Sequence, residues 1–389
     1  MQHSRRASWL PLHAAVLLLI AGCTTGRPAA PVPVEQAAAG SAAAAPAASS
    51  LPPVVATLVE GARKESTLKG TWGGGLLGGA SGFSEVVAQM NQKYGLNVQA
   101  QFTPGRDMQG VMALITQEQA AGQPASTDVY FGNAPAILDA EQSQALRPMD
   151  WAAILERMPP SEPGFDPVAP GGIAVAYGTI IVGVEYNTNL VRGDDVPRHL
   201  EDPLAPKWKG KIASTPYAAG MREFAMPDML GRDAMLDYTR RLSQQVGGLI
   251  RCGEDDRVGS GEFAMLVFSC GGQQATKLRE LGAPVGYTVV QEASVFHMMY
   301  GGVPKNSSAP NAAALLIAYL ETPEGQAELW KLDAVDYHLY PEANTKKLAD
   351  EVRAAHGKLA IDSPQWLASA TGFAETQREL EGILQQSRP

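Results

Sequence analysis

Between Thr67 and Phe131 the chain alternates extended and helical patterns, and this alternation limits the fold more than any other feature of the sequence. Thr67 to Thr71, Asn97 to Phe102 and Asp128 to Phe131 are short strand-like runs. Phe83 to Tyr94 and Met108 to Ala121 lie between them at helical spacing, the second with Val111, Leu114 and Ile115 on its apolar face. Strand, helix, strand, helix, strand specifies a parallel sheet, because each parallel neighbour needs a long return and such crossovers are right-handed. Ligands of open α/β sheets lie beyond the carboxyl ends of the strands, so the loops there are the first candidates for chemistry. One is Trp72-Gly73-Gly74-Gly75-Leu76-Leu77-Gly78-Gly79. Its glycines admit close approach of backbone N–H groups to a ligand, and the helix start after it favours negative charge. It is not a Walker sequence, and a flexible surface turn is the competing reading. A second candidate is Asn133, either a polar contact to a ligand or the cap of the helix Pro135 to Gln144.

A second α/β body follows. Ile173 to Val184 is rich in β-branched residues and bounded by Gly172, Asn187 and Asn189, so it reads as a strand leaving the first body. Tyr177 and Thr179 on it border the space between the bodies. After a Pro-containing loop, Trp208 to Ala213 restarts an extended segment, and Ser214-Thr215-Pro216 reads as a helix start. Arg222, close behind, is either a bidentate clamp for an anionic group or a solvated first-turn arginine. Helices are expected over Asp233 to Val246 and Asp255 to Glu262, and strands over Ala264 to Ser269 and Gly286 to Val290. Gly271 and Gln273 sit in the loop after the first of these strands. Ser294 to Gly302 returns to the first body; His297 on it is a cleft residue or a satisfied core histidine. Helices over 310–322, 323–332, 348–356 and 374–386 should cover the first body. The expectation is two separately packed halves.

Several short runs then acquire a common meaning. Tyr186-Asn187-Thr188, Asp202-Pro203 and Trp208-Lys209-Gly210-Lys211-Ile212 resemble the signature of family 1 extracellular solute-binding proteins, the capture subunits of ABC importers. Gly261-Glu262, Gly282-Ala283-Pro284-Val285, and Val303-Pro304-Lys305-Asn306 through Pro323-Glu324-Gly325-Gln326 agree in order, so the resemblance spans about Thr67 to Tyr340. It is similar to the ferric-ion, polyamine, thiamine and phosphonate-binding group. The resemblance implies a two-lobed type II periplasmic binding protein fold, each lobe a mainly parallel sheet flanked by helices, the lobes joined by two crossover strands. Lobe one would comprise 54–178 with 296–389, and lobe two 179–295. The ferric-ion branch carries two adjacent tyrosines where this chain has Gly271 and Gly272, and no Tyr-Tyr pair occurs anywhere, so that hard-cation site is not expected.

Residues 1–22 contain Arg5 and Arg6, an apolar run from Ala14 to Ile20 and small residues, which together read as a secretory signal too short to span a membrane. Ile20-Ala21-Gly22-Cys23 matches a bacterial lipobox, with Cys23 acylated after cleavage. Residues 23–53, Ala, Pro, Ser and Gly with few charges, would be a flexible spacer. The expected location is periplasmic or cell-surface, tethered by lipid. Loss of the signal takes 31 basic side chains to 29 against 40 acidic, so −9 becomes −11, which disfavours nucleic acid. Cys252 and Cys270 are then the remaining cysteines, either bridged or two buried thiols.

No GxSxG or HExxH occurs and the six histidines are scattered, so no catalytic constellation competes strongly with capture; an envelope enzyme is the minor alternative. The expected ligand contacts are Trp72, Gly73, Gly74 and Asn133 from lobe one, Tyr177 from the hinge, and Thr215, Arg222, Gly271 and Gln273 from lobe two. No cofactor or metal is expected. The partners are a small molecule, with an organic anion favoured over ferric ion or polyamine, and permease subunits, the chain acting as a monomer.

Overall fold

The computed structural model describes residues 51–73, 75–355 and 357–386. Residues 1–50, with the signal, Cys23 and nearly all of the spacer, lie outside these residues, as does Gly74. In chain order the first elements are α1 (Pro53–Ala62), β1 (Thr67–Trp72), α2 (Gly79–Tyr94), β2 (Gln99–Pro104), α3 (Met108–Ala120), β3 (Tyr130–Asn133), α4 (Ala134–Ser143) and α5 (Trp151–Ile154). The crossover follows as β4 (Ala174–Ile181) and β5 (Val184–Asn187). Next come β6 (Ile212–Ser214), α6 (Met221–Phe224), α7 (Arg232–Ser243), β7 (Val246–Leu249), α8 (Asp256–Gly259), β8 (Met265–Val267), α9 (Gly272–Glu280) and β9 (Val285–Thr288). The return is β10 (Ala293–Gly302), then α10 (Pro310–Leu320), α11 (Pro323–Asp333), α12 (Lys346–Ala354), β11 (Lys358–Ile361), α13 (Pro364–Ala368) and α14 (Phe373–Gln385).

In the first lobe β1 and β2 are parallel, from Thr67 opposite Gln99 to Trp72 opposite Pro104, and β3 joins β1 through a parallel bridge between Gly70 and Val129. β10 runs antiparallel to β3 and, on its other edge, to β4, with a bulge between Met299 and Tyr300. Asp128 fastens this sheet to the start of α10. Its Oδ2 accepts from Lys69 N at 2.9 Å, while Oδ1 accepts from Ser308 N at 2.7 Å and Ser307 Oγ at 3.0 Å. α10 is apolar all round and accordingly buried from Ala312 to Leu320, whereas the polar outer faces of α2 and α12 stay in solvent.

The second lobe is one sheet in the order β7-β6-β8-β5-β9, with β6 parallel to both neighbours and β5 antiparallel to its own. Both lobes therefore place the entering or returning crossover strand antiparallel within an otherwise mainly parallel array. Beside the crossover, Gly183 lies against the end of β9, where a Cβ would lie 2.3 Å from Thr288 O; only glycine fits this approach. Val182 N also donates to Val295 O at 3.3 Å.

Two expectations are corrected. α14 does not cover the first lobe: it lies along α7 and α6 of the second, with Glu379 ion-paired to Arg232. Just before it, Trp366 Nε1 donates to Asp228 Oδ2 at 2.9 Å. The apolar face of α14, Phe373, Thr376, Leu380 and Leu384, was readable, but periodicity does not name the face it packs on. As a result the halves are not separately cored. One apolar cluster runs from Ile137 and Tyr300 through Val182 to Phe224 and Leu242. A second fills the other face of the first sheet around Trp72 and Leu316, and a third, around Ile250 and Leu266, belongs to the second sheet alone.

Candidate ligand-binding site

The carboxyl ends of the parallel strands form two rims. On the first lobe these are Gly73 after β1, Gly105 to Asp107 after β2, and Asn133 at the end of β3. Gly105 N donates to Trp72 O at 2.8 Å, and Asp107 caps α3 by accepting from Gly110 N at 2.8 Å. On the second lobe they are Thr215 to Tyr217 after β6, Arg251 after β7, and Ser269 to Gln273 after β8. Cys252 and Cys270 are joined by a disulfide, with Cα atoms 5.6 Å apart, which ties the loops after β7 and β8 across the end of β6.

The sequence-derived candidates divide. Trp72 is 2% exposed; its ring meets Phe83, Phe102 and Phe131 edge-on at 4.9–5.5 Å and its Nε1 donates to Leu76 O. It braces the rim from within. Asn133 is half-buried and its Oδ1 accepts from Ala136 N and from Gln109 Nε2, both at 3.3 Å, so its oxygen caps α4. Gly73 and Gly271 sit on opposite rims. Gly271 has φ +139°, and a Cβ there would lie 2.1 Å from Ile180 Cγ2 on β4, so the second rim meets the crossover strand here with no room for a side chain. Gln273 folds back over it, Nε2 reaching Cys270 O at 3.4 Å. Tyr177 and Thr215 are fully buried, and neither hydroxyl has a protein hydrogen-bond partner among the described residues.

Arg222 is placed differently from a ligand clamp. It is 5% exposed, its Nε donates to Glu223 Oε1 at 2.5 Å, and Glu223 in turn faces His297 on β10. His297 Nδ1 meets Asp362 Oδ2 at 2.6 Å, and Asp362 Oδ1 accepts from Met298 N at 2.7 Å. Burial opposes the imidazolium, but Glu223 and Asp362 outweigh it and hold the His297 pKa above its ordinary value. As a metal centre the cluster falls short. Asp362 is spent on the ring and a backbone amide, Glu223 Oε1 on Arg222, and only Glu223 Oε2 and His297 Nε2, 3.8 Å apart, are uncommitted. Zinc takes about four donors. The group is a buried ion network that ties α6 to the returning strand.

Residues that the sequence did not single out connect the rims. Burial pushes the Tyr217 phenol up; Arg251 beside it on the same rim pulls it down, and Asp107 from the opposite rim pushes it up again. Lys277 of α9 donates from Nζ to Leu332 O at the end of α11, across the lobes. Two open concavities, of about 560 and 610 Å³, lie elsewhere, along α12 and beside Met158 to Pro167.

Residues 85–356 match the family described as bacterial extracellular solute-binding protein, well over half of the chain. The chain belongs to this family. Solved structures agree on the fold. The substrate-binding protein of an ABC transporter from Agrobacterium tumefaciens superposes with a TM-score of 0.65 at 16% identity, covering 85% of this chain and 97% of that one. AgtB from Agrobacterium tumefaciens R10, in complex with agropinic acid, gives 0.64 at 17% over 82% and 99%. Iron-bound HitA from Pseudomonas aeruginosa gives 0.60 at 17% over 81% and 99%. Such identities show the fold, the type II periplasmic binding protein architecture, and nothing finer. No curated protein gave a match. Solute-binding proteins of this family bind small molecules for ABC transporters outside the cytoplasm. Among the described residues no helix is long and apolar enough to cross a membrane.

Proposed function

We propose that this solute-binding protein captures a small organic anion between the two rims, without chemical turnover, and that it is held at the outer face of a membrane by lipid on Cys23. The observation that carries this reading is the convergence of the two sets of strand ends, with the buried, unpartnered hydroxyls of Tyr177 and Thr215 beside them. Gly73, Gly74 and Asn133 would supply one wall, and Thr215, Gly271 and Gln273 the other. Trp72 and Arg222 act behind those walls, as packing and as an internal ion pair. The preference for an anion rests on the start of α9, which has no side-chain cap, together with the exposed Arg251 and Arg106. Closure about the crossovers, near Gly178 to Gly183 and Val295 to Gly302, would bury the ligand, whose binding energy shifts the open and closed populations.

Native mass spectrometry of the mature protein purified from its own host tests this. A monomer carrying one small anionic species, lost on denaturation, is expected, and the N-terminal peptide should carry an acylated Cys23. A bound polyamine or ferric ion, or turnover of the released molecule by the protein, would overturn the assignment.

A further inference from the structure

One basic side chain spans both walls. Lys277 lies in the middle of α9, the helix whose first residues follow Gly271, and its half-buried ammonium donates to the carbonyl of Leu332 in the last turn of α11. That carbonyl is at the negative end of a helix and is a favourable place for a cation. Asp333 next to it is 6% exposed and accepts from Leu77 N at 3.2 Å through Oδ2, and it acts on Lys277 electrostatically. Leu77 belongs to the glycine-rich segment after β1. Leu332 packs under the same segment: a Cβ on Gly82 would lie 3.2 Å from its Cδ2, and one on Gly78 3.4 Å. Lys277, Leu332, Asp333 and Leu77 thus form a continuous chain from the second rim to the first.

Resting on the capture reading above, the geometry points to Lys277 as a closing latch, a positioning residue that docks α9 on the end of α11 and thereby sets how much of the protein is closed. A lysine suits this role better than an apolar contact. In the open state its ammonium returns to water at little cost, whereas an exposed apolar side chain would favour closure at all times. Burial holds the Lys277 pKa below its ordinary value, against the pull of Asp333 from α11 and Glu280 from its own helix, and Asp333 also faces the Tyr177 phenol. Burial raises the Asp333 pKa to about 7, against the pull of Leu77 N and Lys277, so its charge fades as the pH falls below neutral. The latch should loosen in the same range.

Small-angle X-ray scattering on the mature, ligand-free protein reads the open–closed balance without knowledge of the ligand. Lys277→Met should raise the radius of gyration at pH 8, Lys277→Arg should keep the wild-type value, and the wild type should expand from pH 8 to pH 6 while the Met variant changes less. Thermal midpoints of the three should agree within a few degrees, because the contact lies between lobes and not inside one. An unchanged radius in the Met variant, or expansion matched by a large loss of thermal stability, would overturn the latch. Failure of the capture reading would show instead in the mass spectra, as the absence of a bound small molecule.

Discussion

Replacing Glu185 by glutamine separates the cost of a buried acid from the packing around it. Glu185 lies on β5 in the middle of the second sheet, fully buried, and faces Asp255, which is 3% exposed. Neither oxygen of Glu185 has a hydrogen-bond donor among the described residues, while Asp255 Oδ2 accepts from Gly253 N at 3.0 Å. Burial first, and the neighbouring carboxylate second, push the Glu185 pKa from 4.5 to about 9. The folded-state value is above the unfolded one, so the contribution to stability is complete below pH 4.5 and is lost as the pH rises through 9. At 1.36 kcal/mol per pH unit, keeping the group protonated at pH 7 costs about 3 kcal/mol relative to pH 4.5. Glutamine has the shape of the neutral acid and can donate to Asp255. Urea unfolding from pH 4.5 to 8.5 should show wild type and Glu185→Gln close together at the acid end, with the variant more stable by about 3 kcal/mol near neutrality. A difference that does not change with pH, or a variant less stable throughout, would refute the assignment of a neutral buried Glu185.

Three further outcomes follow from the described contacts. Reduction of the Cys252–Cys270 bridge, which closes a sequence separation of 18, should lower second-lobe stability by about 3 kcal/mol, read as a fall in thermal midpoint on adding reductant; an unchanged midpoint would contradict it. Arg222→Met removes the guanidinium from Glu223 and leaves that buried carboxylate only His297 as a cationic neighbour, which should cost about 3 kcal/mol in stability. If that variant instead kept its thermal midpoint and lost only its bound molecule, Arg222 would be a ligand group after all. Trp72→Ala empties the centre of an aromatic cluster and should cost about 3–5 kcal/mol by urea unfolding, with Trp72→Phe recovering part of the loss; a neutral alanine variant would place the indole outside the core.

Much of the architecture was legible because it rests on local patterns. The strand and helix alternation of the first lobe, the apolar crossover from Ala174 and the uniformly apolar α10 all declare themselves in spacing and residue type. β11 did not: Lys358 to Ile361 is four residues behind a helix, and only pairing with Ala293 to Phe296 makes it a strand. The site was less readable because it depends on which way side chains face. Trp72 beside three glycines suggests a ligand loop, yet it shares a strand face with Leu68 and Gly70, and a Cβ on Gly70 would lie 2.6 Å from its ring. That alternation was the available clue to its burial. For Arg222 the clue was Glu223 between the apolar Met221 and Phe224, a pair destined to be buried together. Lys277, Tyr217 and Arg251 carry no such sign. On an amphipathic helix or a polar loop, a charge that crosses a gap reads the same as one that points into water.

The bridge between Cys252 and Cys270 has a consequence for where the protein becomes competent. It sets the spacing of two loops beside Thr215 and Gly271, and such bonds persist in oxidising compartments and are rare in the reducing cytoplasm. A newly made chain still inside the cell would lack this brace, so the second wall would take its final shape only after export. Formation of the brace is thereby timed to arrival in an oxidising compartment.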